Sequence, residues 1–117
     1  MARKNSTSAG ASAYVRFLNL VESLRRSQPE LDPIEERLLN SLARAWDQGR
    51  QVSVMEAMEG APDASPATVH RRLKSLQGKG MLALQNDARD NRVKYIVPTQ
   101  ATHDYLNALS RCVAKAR

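Results

Sequence analysis

The sequence predicts a mainly α fold with a small β component: a series of short helices, a two-strand hairpin and a closing helix. Three observations carry this expectation. Apolar residues recur at helical spacing through most of the chain. Helix starts are written out at Asp32-Pro33, Ser53-Val54-Met55-Glu56 and Ser65-Pro66. Finally, the 24 residues from Arg71 to Lys94 pass from helical spacing to alternation around a polar turn, and they carry seven Lys/Arg against two acids. The whole chain is only +6, and residues 27–70 carry eight acids against three Arg. Positive charge gathered into one structural unit is the footprint of a nucleic-acid contact surface.

Composition narrows the function classes. At 117 residues there is room for one domain with a modest core. No apolar run approaches the roughly 18 residues that span a bilayer, so no membrane segment is expected. The start, MARKNSTSAGAS, is polar and basic without an apolar stretch, which predicts no secretion signal and a cytoplasmic protein. A lone cysteine, Cys112, excludes an internal disulfide framework. One Cys and the two distant histidines, His70 and His103, cannot make a four-ligand zinc site. Aromatic content of 4% argues against a platform that stacks single-stranded bases. No nucleophile–base pair or phosphate-cradling glycine loop is present, because Gly78-Lys79-Gly80 is only a helix stop. The chain is expected to be no enzyme and to use no cofactor.

Residues 1–11, rich in Ser, Ala and Gly with Arg3 and Lys4, are expected to be a disordered tail ahead of a domain over 12–117. From about Ser12 to Arg26, Tyr14, Phe17, Leu18, Val21 and Leu24 recur at helical spacing, widened by Val15 and Leu20. Ser27-Gln28-Pro29 breaks that helix. Asp32 caps the next, with Pro33 at its first position and Glu35 and Glu36 at the positive end of its dipole. Ile34, Leu38, Leu42 and Ala45 mark its inner face, with Leu39 and Trp46 beside them, and Gly49 stops it. A short helix from Ser53 to Gly60 follows, with Val52 and Ala57 at staple positions and Met55 and Met58 read as core. The link Ala61–Ala64 leads to Ser65, the cap of the next helix.

On that helix Val69, Leu73 and Leu76 share one side at roughly 100° per residue, and Ala67, Arg71 and Lys74 fall opposite. Thr68, His70 and Ser75 lie on the flanks, with Arg72 nearer the core side. The first turn holds no acid, although acids favour that place; one there would repel phosphates. Met81–Gln85 and Arg92–Val97 alternate as strands around Asn86–Asn91. Thr99 opens the last helix, striped by Tyr105, Leu106, Leu109, Cys112 and Val113, with Cys112 expected to be buried and His103 structural. Two capped helices joined by a turn and followed by a hairpin make a winged helix-turn-helix with a two-strand β-wing.

The run Ser65-x-x-Thr68-Val69-x-Arg71-x-Leu73-x-x-Leu76, then Lys79-Gly80-Met81-Leu82, then Asp90-Asn91-Arg92 and Thr99, resembles the MarR-type winged-helix regulators over about residues 31–99. Asp90-Asn91-Arg92 matches that family's D-x-R wing motif. The resemblance implies a recognition helix in the major groove and a wing arginine, Arg92, in the minor groove with Asp90 orienting it. Pro98 stands where the family usually has leucine, and Thr102 where it often has glycine. The turn before Ser65 is longer than usual, and one helix follows the wing where the family commonly has two. The DNA-contact role is therefore carried further by these residues than any ligand-sensing role.

The expected function is a sequence-specific, double-stranded DNA-binding transcriptional regulator acting as a homodimer. Its DNA-binding core would span about 31–99, with dimerisation helices at about 12–27 and 100–116, whose apolar stripes are wider than a small domain can bury. The expected DNA-binding residues are Ser65, Ala67, Thr68, His70, Arg71, Arg72, Lys74 and Ser75 on the helix, and Arg89, Asp90, Arg92 and Lys94 in the wing. Thr68, Arg71 and Ser75 would read bases, and Arg72 has the alternative of pairing with a scaffold acid. The competing reading is a winged helix serving as a protein–protein or RNA-binding module in a larger assembly. The focus of positive charge favours DNA.

Overall fold

The computed structural model describes residues 9–117. Five helices and three strands follow in the order α1 (Ala9–Arg25), α2 (Pro33–Asp47), β1 (Val52–Ser53), α3 (Val54–Gly60), α4 (Pro66–Gly78), β2 (Ala83–Asn86), β3 (Lys94–Val97) and α5 (Gln100–Ala116). The chain divides into two compact units. One is residues 31–103; the other joins the described part of the N-terminal segment, 9–30, to residues 104–117. Residues 1–8 of the expected tail lie outside the described residues. Ala9, Gly10 and Ala11 belong to α1, which begins three residues ahead of the expected Ser12.

The 31–103 unit is built on local sequence signals. Asp32 and Glu35 form a full capping box on α2: the Glu35 N–H donates to Asp32 Oδ1 at 2.8 Å, and the Asp32 N–H donates to Glu35 Oε1 at 2.8 Å. Ser53 and Glu56 repeat the device on α3. Ser65 accepts from the Thr68 N–H to start α4. Both long helices of this unit stop in the same way. Gly49 and Gly80 take positive φ, 75° and 77°, and the next N–H turns back to the helix, Arg50 to Ala45 O and Met81 to Leu76 O. This is the Schellman stop, and it needs glycine at that position. Gly78 is the last helical residue of α4, and Gly80 two places on makes the turn that stops it, so the expected Gly78-Lys79-Gly80 stop holds.

The wing strands are shorter than expected: Met81 and Leu82 leave the ladder and are buried in the core, while Arg92 and Val93 belong to the turn, where the Val93 N–H donates to Asp90 O. The sheet also has a third member. β1 pairs with β3 through Val52↔Ile96 and Ser53↔Tyr95, giving the order β1-β3-β2 with every pair antiparallel. Val52, expected as a staple, is a strand residue, and two residues are too few for alternation to reveal one.

Leu38, Leu39, Leu42 and Ala45 of α2 meet Val69, Leu73 and Leu76 of α4 in the core, with Met81, Leu82 and Ile96 closing it. Trp46 corrects the expectation that it is a core residue: it is half-buried, and its indole N–H donates to Ile96 O at 3.0 Å, so it links α2 to the sheet. Met55 corrects another. It is 67% exposed, and α3 contains no buried residue, because a seven-residue helix has one inward face and Ala57 and Met58 share it only in part.

In the other unit, the Arg16 guanidinium donates to Ala116 O through Nη2 at 2.7 Å and Nε at 3.1 Å. It satisfies a carbonyl that the end of α5 would otherwise leave bare. Val21, Tyr105, Ala108, Cys112 and Ala116 are buried, whereas Tyr14, Val15, Leu18 and Val113 remain 44–60% exposed. His103 is exposed.

The core assignment predicts a contrast. Leu76 is 0% exposed and Leu84 is 36% exposed. Leu76→Ala should lower unfolding stability by about 2–4 kcal/mol in urea titrations, and Leu84→Ala by well under about 1 kcal/mol, with unchanged m-values.

Candidate nucleic-acid interface

α4 presents two distinct flanks outside its buried edge. Ala67, His70, Arg71, Lys74, Gln77 and Gly78 are exposed, and at roughly 100° per residue they share one broad face. Arg71 is steadied on that face by its own turn. Its Nη2 donates to Thr68 Oγ1 at 3.3 Å, and Ser65 Oγ donates to the same hydroxyl at 3.0 Å. Ser65, Thr68 and Arg71, three of the expected contact residues, are thus joined in one chain of hydrogen bonds at the start of the helix. Gln77, which carries no charge to single it out in the sequence, shares this face, and its amide can both donate and accept.

The second flank is not open. Arg72, Ser75 and Lys79 lie within about 60° of one another, and all three engage the N-terminus of α2. Arg72 Nε sits 2.8 Å from Asp32 Oδ2, a charge contact without hydrogen-bond alignment. Lys79 Nζ donates to both oxygens of Glu35, at 2.8 and 3.0 Å, and the Ser75 hydroxyl also bonds that carboxylate. Glu35 is 2% exposed. Burial alone would push its carboxyl up. The bonds from Lys79, Ser75 and the Asp32 N–H, with the Lys79 charge, outweigh that and hold it below its ordinary value. Arg72 therefore takes the scaffold alternative, and Ser75 points its hydroxyl at Glu35 and not outward. In the sequence Asp32 reads as a cap and Glu35 as a dipole partner; their reach to a helix more than thirty residues on is a tertiary fact.

The wing turn is built on two aspartates. Asp87 Oδ2 accepts from the Arg89 and Asp90 N–H groups at 2.9 and 3.0 Å, and Tyr95 Oη donates to Asp87 Oδ1 at 3.1 Å. These donors, the Arg89 N–H foremost, hold the Asp87 carboxyl below the usual range, and Asp87 in turn raises the Tyr95 phenol. Asp90 faces Arg92 in bidentate fashion, Oδ1 to Nε at 3.0 Å and Oδ2 to Nη2 at 3.2 Å, which keeps the Asp90 carboxyl low as well. The Arg92 side chain is nonetheless 91% exposed. Arg89 and Lys94 are exposed, and Lys94 Nζ donates to its cross-strand partner Asn86 at 3.1 Å. Asp87 was expected only as a turn former; its three acceptor bonds make it the organiser of the wing tip.

Among the described residues no helix is long and apolar enough to cross a membrane. No protein-family model and no curated protein sequence matches the chain. Solved structures do. The transcriptional regulator Tm0710 from Thermotoga maritima superposes with a TM-score of 0.64 at 16% identity, over 88% of this chain and 66% of that one. The S. aureus MepR–DNA complex gives 0.64 at 16% identity, over 87% and 70%. The heme sensor protein PefR from Streptococcus agalactiae, in complex with heme, gives 0.60 at 19% identity, over 94% and 76%. The chain thus spans just under two thirds of Tm0710 and somewhat more of the others. At such identities the likeness is one of fold, and as a fold the MarR-type winged helix read from residues 31–99 is borne out.

The Glu35 site predicts a pH dependence. A carboxyl held below its ordinary value of 4.5 in the folded state contributes stability that is complete above that value and lost as pH falls through the lowered one. Glu35→Gln should therefore cost about 1–3 kcal/mol at pH 7, where Lys79 loses its partner but keeps some access to water. Thermal melts across pH 7 to 3 should show the gap between wild type and variant narrowing below about pH 4.5.

Proposed function

We propose that this chain, which has the fold of the MarR-type winged-helix regulators, is a dimeric, sequence-specific regulator of transcription that binds duplex DNA through α4 and the β2–β3 wing. The observation that carries the reading is the contrast between the two flanks of α4. One is neutralised by α2 acids, whereas the other, with Ala67, His70, Arg71 and Lys74, carries exposed positive charge and meets no acid among the described residues. A cationic stripe left unpaired on a scaffold rich in carboxylates is suited to a polyanion.

In this reading α4 enters the major groove. Arg71, pre-set by Thr68, offers the fork that fits guanine O6 and N7, and Gln77 offers the amide pair that fits adenine. Ser65, Ala67, His70 and Lys74 lie against the backbone or bases nearby. Arg89 and Lys94 take phosphates, and Arg92 enters the minor groove with Asp90 limiting its rotamers before binding. The MepR–DNA complex supports this, since that protein shares the fold and is bound to DNA. Arg72 and Ser75 fall out of the contact set.

The exposed apolar side chains Tyr14, Val15, Leu18 and Val113 support a homodimer built from α1 and α5. Two-fold symmetry would make the operator a near-palindrome with half-sites about one helical turn apart.

Two experiments test the reading. Titration of a duplex selected from a random pool, repeated across salt concentrations, should give a log–log slope of roughly −4 to −5 if about four to six phosphates are contacted per dimer. Arg71→Ala should lose about 1–3 kcal/mol on the selected duplex and relax preference at one position, whereas Arg92→Ala should weaken selected and scrambled duplexes more evenly. A slope near zero defeats the DNA reading. Light scattering at micromolar concentration should give twice the chain mass for wild type and the single chain mass for Leu18→Glu; a monomeric wild type defeats the dimer.

A further inference from the structure

Lys79 and Arg72 belong to the most basic stretch of the chain, yet neither is placed to meet a ligand. Both are held by the capping box of α2. Asp32 and Glu35 bond each other's N–H groups, Asp32 then contacts Arg72, and Glu35 receives Lys79 and Ser75. Three side chains along one flank of α4 are thus gripped by two carboxylates one helical turn apart. A helix packed only by Val69, Leu73 and Leu76 keeps some freedom to roll about its axis, because apolar contacts are not directional. Hydrogen bonds and charge contacts along one flank remove that freedom. The roll angle of α4 decides which side chains face outward, and thus whether Arg71 or a neighbour meets a base edge.

We propose that Glu35, with Asp32, is a positioning group for recognition: its grip on Lys79, Ser75 and Arg72 sets the roll of α4 and thereby the sequence discrimination of the protein, without either acid or Lys79 touching DNA. This rests on the DNA-binding reading above. It differs from a purely structural role, which would alter stability but not base preference. It differs also from a phosphate contact by Lys79, which would alter salt dependence but not base preference.

The test compares wild type, Glu35→Gln, Lys79→Gln, the double variant of these two, Lys79→Arg and, for the phosphate contact proposed above, Lys74→Gln. Gln at position 35 keeps the capping bond to the Asp32 N–H. Each protein is titrated with the selected duplex and a scrambled one over a potassium chloride series, at a temperature where circular dichroism shows all of them folded. Glu35→Gln and Lys79→Gln should each reduce the ratio of selected to scrambled affinity about tenfold, with scrambled affinity and salt slope unchanged, and the double variant should be no worse than the poorer single one. Lys79→Arg should recover most of the ratio. If Lys79→Gln flattens the slope by roughly two, one phosphate per protomer, and leaves the ratio intact, Lys79 is a phosphate contact and the proposal is overturned. An intact ratio in both Gln variants overturns it too, as a merely stabilising pair. A second measurement uses wild type alone: the Lys79 Nζ resonance should keep its position on addition of duplex while that of Lys74 moves, and movement of both overturns the proposal. A wild-type protein that binds no duplex is seen before any variant is made, and it defeats the DNA reading and this proposal together.

Discussion

The 31–103 unit depends on what happens at the first turn of α2. There a single carboxylate, Glu35, closes its own helix's capping box and receives Lys79 and Ser75 from α4. A buried acid is tolerable only when its lone pairs are filled, and here four bonds fill them. Breaking one partner leaves a charge with little water to solvate it, so the pair is worth more as a constraint on geometry than as a net source of stability. Asp32 extends the constraint to Arg72, where both side chains are 36% exposed and the energy is correspondingly small, on the order of 0.5 kcal/mol. The acid-rich scaffold therefore has a use beyond solubility. It neutralises one flank of a basic helix and leaves the other available.

The same economy recurs at the wing. A largely polar turn such as 87–93 would ordinarily be mobile, but Asp87 gathers two backbone donors and the Tyr95 hydroxyl, and the Asp87 N–H closes onto Val93 O. Asp90 then fixes Arg92 in a solvent-exposed position. At the far end of the hairpin, Thr99 Oγ1 donates to Gly80 O, and Thr102, which is fully buried, donates to Met81 O. These hydroxyls tie the stop of α4 to the start of α5. They also show why Thr serves at position 102, where a glycine would leave the Met81 carbonyl without that donor.

How legible this was depended on whether the signal was local. The caps at Asp32, Ser53 and Ser65 stood in the sequence because a cap is satisfied within three residues. The inner faces of α2 and α4 stood there because helical period repeats over several turns, and the wing because Asp-rich turns and alternation lie side by side. β1 escaped, being two residues that become a strand only by meeting Ile96 and Tyr95. The placement of Met55 escaped because a short helix has too few residues to define its inward side. At the candidate interface, Arg71, Lys74 and the Asp90–Arg92 pair were legible from spacing and charge. Arg72 stood with two directions open, one of them the scaffold pairing it makes, and the inward bond of Ser75 was not legible, since a flank residue's direction is settled by whatever lies across from it, and Asp32 and Glu35 are distant in sequence.

The pairing of Val52 with Ile96 has a kinetic meaning as well. Two strand residues, joined to β3 and reinforced by the Trp46 indole on the Ile96 carbonyl, close the whole segment 52–96 into a loop. Everything inside that loop, α3, α4 and the β2–β3 hairpin, can form from near neighbours at small entropic cost. The closure itself must wait until those parts are in place, because a long loop is shut for the return of very few bonds. β1 is thus expected to be the last strand of this unit to assemble and the first to open, while β3, anchored by the buried Ile96 and paired along β2, keeps the wing in place when it does.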